Sequence, residues 1–149
     1  MSANHSFPTP PHVLRTEQMN GGFTKIFIEE SGRPFHYFSE AGDKYAHDHP
    51  FGMTSHVVIG GYVEEVYTIT GPGEWRMEVF ERLPGTSHRI EARSIHRIVR
   101  LLGSHCLTHV EPGPPEIRWG VYDFRPDGAY HRWPEESDEA FRRVGWYTT

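Results

Sequence analysis

The sequence predicts an all-β domain, built as a sandwich or barrel of short strands. From residue 23 onward, runs rich in Val, Ile, Phe, Tyr and Trp alternate with turns such as Gly60-Gly61, Pro84-Gly85 and Pro126-Asp127-Gly128. Several short strands at fairly regular spacing, with glycine and proline turns between them, are typical of sandwiches and barrels. The predicted strands are residues 23–29, 35–39, 54–59, 62–69, 75–81, 86–90, 96–102, 106–110 and 118–124.

The length and composition indicate a single folded unit. The chain has 149 residues, a length at which one hydrophobic core is usual. Hydrophobic residues make up 36% and charged residues 23%, a balance typical of folded rather than disordered chains. Residues 1–14, which include Pro8, Pro10 and Pro11, are expected to form a flexible N-terminal arm. Residues 15–149 are expected to form one domain.

The C-terminal part differs from the strand-rich region before it. Residues 134–143 begin with a proline, continue with acidic residues and end with two arginines. This charge order complements a helix dipole, and proline is favoured in the first turn of a helix. We expect one short C-terminal helix packed on the outside of the barrel.

Charge, hydropathy and cysteine content exclude several classes of protein. The formal net charge is −5, which argues against a dedicated nucleic-acid binder. No stretch approaches the ~20 apolar residues of a membrane span, and residues 1–11 do not resemble a secretory signal, so we expect a cytoplasmic protein. Cys106 is the only cysteine, which rules out an intrachain disulfide. It is expected to be a small buried hydrophobe rather than a nucleophile.

Histidine is the unusual residue of this composition, with 11 in the chain, and the segment His47-Asp48-His49-Pro50 contains two of them. If this segment is extended, His47 and His49 point to the same face, because strand side chains alternate. Neutral imidazoles in such a pair can bind one metal ion. Two loop histidines at the surface are the alternative. A further histidine, His96, opens a strand-like run that follows Gly85.

The order of these residues resembles the two signatures of the cupin family. Gly42, His47, His49 and Gly60 have the spacing of the first signature, and Gly85-x10-His96 is similar to the second. The resemblance covers roughly residues 35–125. It implies a cupin (RmlC-like) jelly-roll barrel, a single cupin domain over residues 15–149, and one divalent metal ion bound by His47, His49 and His96.

One departure from the family narrows the resemblance. The position of the first signature that usually carries glutamate falls on Met53 or Thr54, neither of which is a good ligand for a hard or borderline metal. Three histidines without a carboxylate resemble the cysteine dioxygenase branch of cupins. That likeness implies Fe(II), with Ni, Zn or Mn as alternatives, and an oxygen-dependent oxidoreductase acting on a small anionic molecule. A non-oxidative isomerase or epimerase, or a binding module without turnover, is the alternative.

Four other side chains are candidates for the site. Tyr62, which follows the Gly60-Gly61 turn, and His88 are the candidate acid–base residues. If Met53 occupies the glutamate position, alternation turns His56 outward; if Thr54 does, His56 faces inward and is a candidate fourth ligand. The orientation of His109 stays open. Exposed edge strands favour association, so a homodimer is expected in addition to a small-molecule partner.

Overall fold

The computed structural model describes residues 13–20, 22–28 and 34–145, which form strands connected by turns and a single short 3₁₀ helix. The strands are β1 (Val13–Asn20), β2 (Phe23–Ile28), β3 (Pro34–Phe38), β4 (Ala46–His47), β5 (Phe51–Ile59), β6 (Tyr62–Gly71), β7 (Glu74–Arg82), β8 (Ser87–Ile90), β9 (Ile95–Leu101), β10 (Cys106–Pro115), β11 (Val121–Arg125), β12 (Gly128–Arg132) and β13 (Arg142–Arg143).

The strands form two antiparallel sheets. Sheet 1 has the order β1-β2-β3-β10-β5-β8, and sheet 2 has the order β13-β12-β11-β4-β9-β6-β7. The eight strands β3 to β10 are divided equally between the sheets. Four of them are adjacent in sheet 1, in the order β3-β10-β5-β8, and four are adjacent in sheet 2, in the order β4-β9-β6-β7. This order is that of a jelly roll made of two Greek keys, the architecture of cupins. The predicted all-β jelly-roll fold is confirmed.

The outer strands are where the sequence prediction was incomplete. β1 pairs with β2 at one edge of sheet 1, and β12 and β13 extend sheet 2 beyond β11. No strand was predicted after residue 124, whereas β12 returns from β11 through a tight turn at Pro126-Asp127. Residues 1–12 of the expected arm lie outside the described residues, and Val13 and Leu14 already belong to β1.

The predicted C-terminal helix is reduced to a three-residue 3₁₀ turn, Asp138–Ala140. The guanidinium of Arg132 donates to the carbonyls of Trp133, Pro134 and Glu136 at 3.2, 3.4 and 3.1 Å. Those carbonyls would accept backbone N–H groups if a helix began at Pro134. Arg142 and Arg143 pair with β12 as strand β13, so the expected end of the helix belongs to sheet 2.

The strand register directs alternate side chains into the space between the sheets. On β5, Met53, Ser55 and Val57 are buried, whereas Thr54 and His56 are only half-buried. This is the register in which Met53 occupies the glutamate position. Cys106 is 0% exposed and packs in the core with Val57, as expected for a buried hydrophobe.

The turn between β5 and β6 explains one glycine pair in the sequence. Gly60 and Gly61 both have positive φ, at 88° and 92°, a region that residues with a Cβ rarely adopt. A Cβ on Gly60 would also lie 1.9 Å from the carbonyl oxygen of His105. The turn therefore requires glycine at this position, and it sets the register at which Tyr62 enters sheet 2. None of the helices in the described part of the chain is long and apolar enough to cross a membrane.

Candidate metal centre

Three histidines converge on the inner face of sheet 2. His47 and His96 are direct partners across the β4–β9 pair, and His49 follows His47 by two residues, which returns its side chain to the same face. The ring centroids of His47, His49 and His96 lie 4.8–5.0 Å apart. One nitrogen from each ring lies within 4.8 Å of the others. The structure therefore brings together the three residues that the cupin-like spacing predicts.

The residue between the two histidines fixes their backbone. The side chain of Asp48 accepts the Gly120 N–H at 2.6 Å through Oδ1 and the Tyr122 hydroxyl at 3.1 Å through Oδ2. The His49 N–H donates to the Ala92 carbonyl at 2.9 Å. Burial raises the pKa of Asp48, and the hydrogen bonds from Gly120 and Tyr122 oppose that rise. The histidine segment is thus held to its neighbouring strands on both sides.

A buried carboxylate sets the orientation of His96. Nδ1 of His96 donates to Glu64 Oε1 at 2.7 Å, which leaves the Nε2 lone pair directed at the cluster. That Nε2 lies 3.2 Å from Nε2 of His49. Two imidazole nitrogens bound to one ion at about 2.1 Å are about 3.0–3.4 Å apart for tetrahedral or octahedral angles. The His96–His49 distance fits a shared ion without movement of either ring.

The electrostatic state of the cluster also fits a metal. Burial, followed by the charge of His96, lowers the pKa of His47 to about 4. The pKa of His49 is also well below its usual value, again mainly through burial. The rings of His47 and His49 are therefore neutral at neutral pH, the form in which imidazole binds metals. Nδ1 of His49 is buried without a hydrogen-bond partner. Three imidazole nitrogens are a donor set suited to iron, nickel, copper or zinc.

Glu64 is the site residue that sequence reasoning missed. It is only 1% exposed, and besides His96 it accepts the Nε–H of Arg82. Burial alone would raise the pKa of Glu64, but hydrogen bonds and charges of His96 and Arg82 lower it to about 2, so the carboxylate is ionised. Glu64 is followed by Glu65, and two consecutive acidic residues are typical of a solvent-exposed stretch. Alternation from the buried Tyr62 was the available signal, because it places Glu64 on the inner face.

The candidate acid–base residues lie next to this carboxylate. The Tyr62 hydroxyl lies 3.2 Å from Nε2 of His88, and the same nitrogen lies 3.5 Å from Oε2 of Glu64. Burial and the Glu64 charge raise the pKa of Tyr62. Burial, then Arg82, lowers the pKa of His88 to about 4. The structure thus places a protonated phenol and a neutral imidazole within hydrogen-bond reach of each other.

The other two candidate histidines are remote from the cluster. His56 points outward from sheet 1, where Nδ1 lies 2.6 Å from Ser87 Oγ and Nε2 contacts Glu111. His109 stacks on His56 with ring centroids 5.9 Å apart and packs on Phe35. Both are on the opposite face of sheet 1 from the three histidines, so the open question about His56 and His109 is resolved against a ligand role.

A cavity of about 250 Å³ lies between the sheets, with the three histidines in its wall. The opposite wall is formed by sheet 1 and is mostly apolar, with a smaller polar part. The apolar residues of that wall include Phe23, Phe38, Phe51, Met53, Ile90 and Val110, and its polar residues include Lys25, His36, Ser55 and Thr108. Tyr62 reaches the cavity from sheet 2. Met19 and Trp119 line the cavity and are 46% and 37% exposed, so they mark its rim.

No protein-family model matches the chain, and no curated protein sequence matches it. Among solved structures, the chain is similar to Drosophila melanogaster CENP-C bound to CAL1, with a TM-score of 0.49 and 12% identity over 68% of this chain and 76% of that one. A Drosophila melanogaster CENP-C cupin domain gives 0.49 and 13% over 75% and 84%. A third CENP-C structure gives 0.47 and 12% over 68% and 72%. At these scores the likenesses carry no functional inference, and the dioxygenase-like branch stays a prediction.

Proposed function

We propose that this chain is a metal-dependent enzyme that binds one divalent metal ion through His47, His49 and His96 and oxidises a small anionic molecule with dioxygen. The observation that carries the proposal is the convergence of three imidazoles, with one nitrogen of each within 4.8 Å of the others, on the wall of a cavity. Three ligands on one side of an ion leave positions open for other molecules, which is the arrangement of open-site non-haem iron oxygenases. Fe(II) is the proposed metal, with Ni, Zn or Mn as alternatives.

The donor set also favours an anionic substrate. Neither a carboxylate nor a thiolate takes part in the three-histidine cluster. Imidazole ligands bring no negative charge of their own, so a divalent ion held by them attracts a thiolate or carboxylate. When bound, the metal would supply an electropositive position for that anion and would mediate the transfer of electrons from the substrate to dioxygen.

The residues around the cluster have roles of their own in this proposal. Glu64 holds the Nδ1 proton of His96 and so keeps Nε2 free for the ion. The phenol of Tyr62 reaches the cavity wall and is the group from which a proton can pass to bound substrate. Nε2 of His88 lies 3.2 Å from that phenol, so the neutral imidazole can accept a hydrogen bond from the hydroxyl and orient it.

A non-oxidative isomerase or epimerase is the second candidate, and one observation favours it. Such reactions need an acid–base pair at the substrate, and Tyr62 and His88 form a hydrogen-bonded pair with the phenol at the cavity. In this reading the metal polarises the substrate and the pair moves the proton. A cavity that binds a small molecule without turnover is the remaining outcome.

Metal analysis tests the proposal first. We expect about one equivalent of metal in gently purified protein, lost in His96→Ala and retained in the matched control His109→Ala, whose ring lies on the outer face of sheet 1. Iron together with substrate-dependent oxygen uptake supports the oxidase reading. Zinc or nickel without oxygen uptake supports the isomerase reading. Failure to take up any metal, even after anaerobic addition of Fe(II), Zn(II) or Ni(II), would overturn both.

We also propose that the chain forms a homodimer through β7. This strand is the edge of sheet 2, and Met77 and Val79 on it are 40% and 58% exposed. An open strand edge with exposed apolar side chains favours pairing with a second copy. Light scattering should give twice the 17.2 kDa chain mass, and Val79→Lys should give the monomer. A monomeric wild-type protein at micromolar concentration would contradict the proposal.

A further inference from the structure

We infer that the molecule bound in the cavity has an apolar body and a single anionic head group, and that Lys25 selects the head group. The inference rests on the proposed function in one respect, namely that the cavity beside the three histidines is the substrate site. It goes further by excluding zwitterionic substrates such as free amino acids. These also carry an anionic group, so a general preference for an anion does not exclude them.

The wall facing the histidines carries the first part of the argument. Sheet 1 presents Phe38, Phe51, Met53 and Val110 to the cavity. Each square ångström of apolar surface removed from water contributes about 25 cal/mol, and a polar group placed against these four side chains would lose its hydration without a partner. The body of the ligand that lies against sheet 1 is therefore apolar.

The charges at the cavity carry the second part. Among the described residues, Lys25, Asp43 and Asp48 are the charged side chains that line it, apart from the histidines, and of these Lys25 is the cation. Asp43 accepts the Ile98 N–H at 3.1 Å, and both oxygens of Asp48 accept hydrogen bonds from the neighbouring strand. These carboxylates already accept hydrogen bonds from the protein, and Asp48 lies between His47 and His49 in the chain. A ligand ammonium there would compete with the ion.

Lys25 is placed to receive the opposite charge. It pairs with His36 across β2 and β3, and both residues line the cavity that also holds the three histidines. The Lys25 charge therefore acts on the same space as the histidine cluster. His36 beside it is neutral at neutral pH, because burial and Lys25 lower its pKa to about 3. In the described part of the chain, Lys25 is thus the lysine or arginine side chain that is available to an anionic head group in the cavity.

The size and rim of the cavity complete the description. A volume of about 250 Å³ is slightly below the roughly 300–1,000 Å³ of pockets for drug-sized ligands. Met19 and Trp119, the exposed apolar residues of the rim, extend the apolar surface to the opening. An aryl or branched alkyl acid with a short chain has this size and polarity.

Three matched probes test the inference by calorimetry on the full chain. They are 3-phenylpropanoate, phenylalanine, which adds an ammonium, and 3-phenylpropan-1-ol, which lacks the carboxylate. We expect the acid to bind at least about tenfold more tightly than phenylalanine and the alcohol, since a charge-assisted hydrogen bond is roughly twice as strong as a neutral one. Lys25→Met should weaken the acid about tenfold and leave the alcohol unchanged, and Lys25→Arg should restore the acid. Lys44→Met, which removes the exposed lysine outside the cavity, is the control.

The measurements are made on metal-loaded protein and on chelator-treated protein. Lys25-dependent binding of the acid in both forms supports the inference. The same result in a protein that takes up no metal would overturn the proposed enzyme but leave this inference standing. Metal uptake without acid binding, equal or tighter binding of phenylalanine, or an acid affinity unchanged by Lys25→Met would overturn the inference alone.

Discussion

Replacement of Glu64 by glutamine tests how the cluster is held. The carboxylate accepts the Nδ1 proton of His96 at 2.7 Å, and it is only 1% exposed. A hydrogen bond to a charged group contributes about 1.5–3 kcal/mol, and about 1.4 kcal/mol corresponds to a tenfold change in affinity. Glu64→Gln should therefore weaken metal binding about 10- to 100-fold, the range seen when a ligand histidine loses its hydrogen-bonded carboxylate.

The assay is titration of metal-free protein with Co²⁺, followed by its visible absorption, with a competing chelator to fix the affinity. The control is Glu65→Gln, which removes the neighbouring carboxylate bonded to Arg97 at 2.7 Å on the other face of β6. Its Co²⁺ affinity should equal that of wild type. Glu64→Leu should in addition lower the free energy of unfolding in urea by about 3–5 kcal/mol, because Arg82 loses the carboxylate of a buried ion pair. An unchanged Co²⁺ affinity in Glu64→Gln would refute the reasoning.

Three further predictions concern stability and reactivity. Asp48→Ala should lower the free energy of unfolding in urea by about 2–4 kcal/mol, because the Gly120 N–H and the Tyr122 hydroxyl both lose their acceptor; Tyr122→Phe, which removes one bond, should lower it by about 1 kcal/mol. Stability should fall as the pH drops from about 6.5 towards about 3, since the unfolded state gains a proton that the buried His36, with its pKa of about 3, does not. Each such histidine contributes about 1.4 kcal/mol per pH unit in that window, and His36→Gln should reduce the slope of stability against pH by that amount. Cys106, whose pKa burial raises, should react with iodoacetamide only as fast as the protein unfolds.

Each of these has a contradicting result. Equal stability of the Asp48 and Tyr122 variants would mean that Asp48 does not fix the histidine segment. A stability that rises on acidification through this window would mean that His36 is not buried as a neutral ring. Rapid alkylation of Cys106 in native protein would contradict its place in the core.

Local patterns were sufficient to predict the pair His47 and His49. In an extended segment, side chains two residues apart point to the same face, so an extended conformation is sufficient to place both rings on one face. His96 was found differently, because its position opposite His47 depends on the pairing of β4 with β9, strands far apart in sequence. Only the resemblance to a two-signature family connected these segments.

Glu64 and the C-terminal turn are two features that local sequence patterns did not predict. Glu64 pairs with Ile98 and contacts His96 two residues away on β9. Alternation could place Glu64 on the inner face, but its contact with His96 depends on the pairing of β6 with β9, which the sequence pattern does not give. The C-terminal acids and arginines carried a genuine helix signal, but one side chain outside that segment, Arg132, takes the carbonyls that the helix needed. A side-chain contact close in sequence replaces the helix at the C-terminus, whereas the role of Glu64 depends on a contact between two strands.

The histidine cluster and most of the apolar cavity wall lie on different sheets, so mutations can change one without changing the other. The three histidines and Glu64 all belong to the strands and connections of sheet 2, whereas most of the apolar cavity wall belongs to sheet 1. Substitutions on β5 and β10 can therefore reshape the bound molecule's surroundings without moving a ring nitrogen. A directed-evolution library restricted to the inward positions of those two strands should alter selectivity while preserving metal affinity, and mutational drift in a lineage can follow the same route.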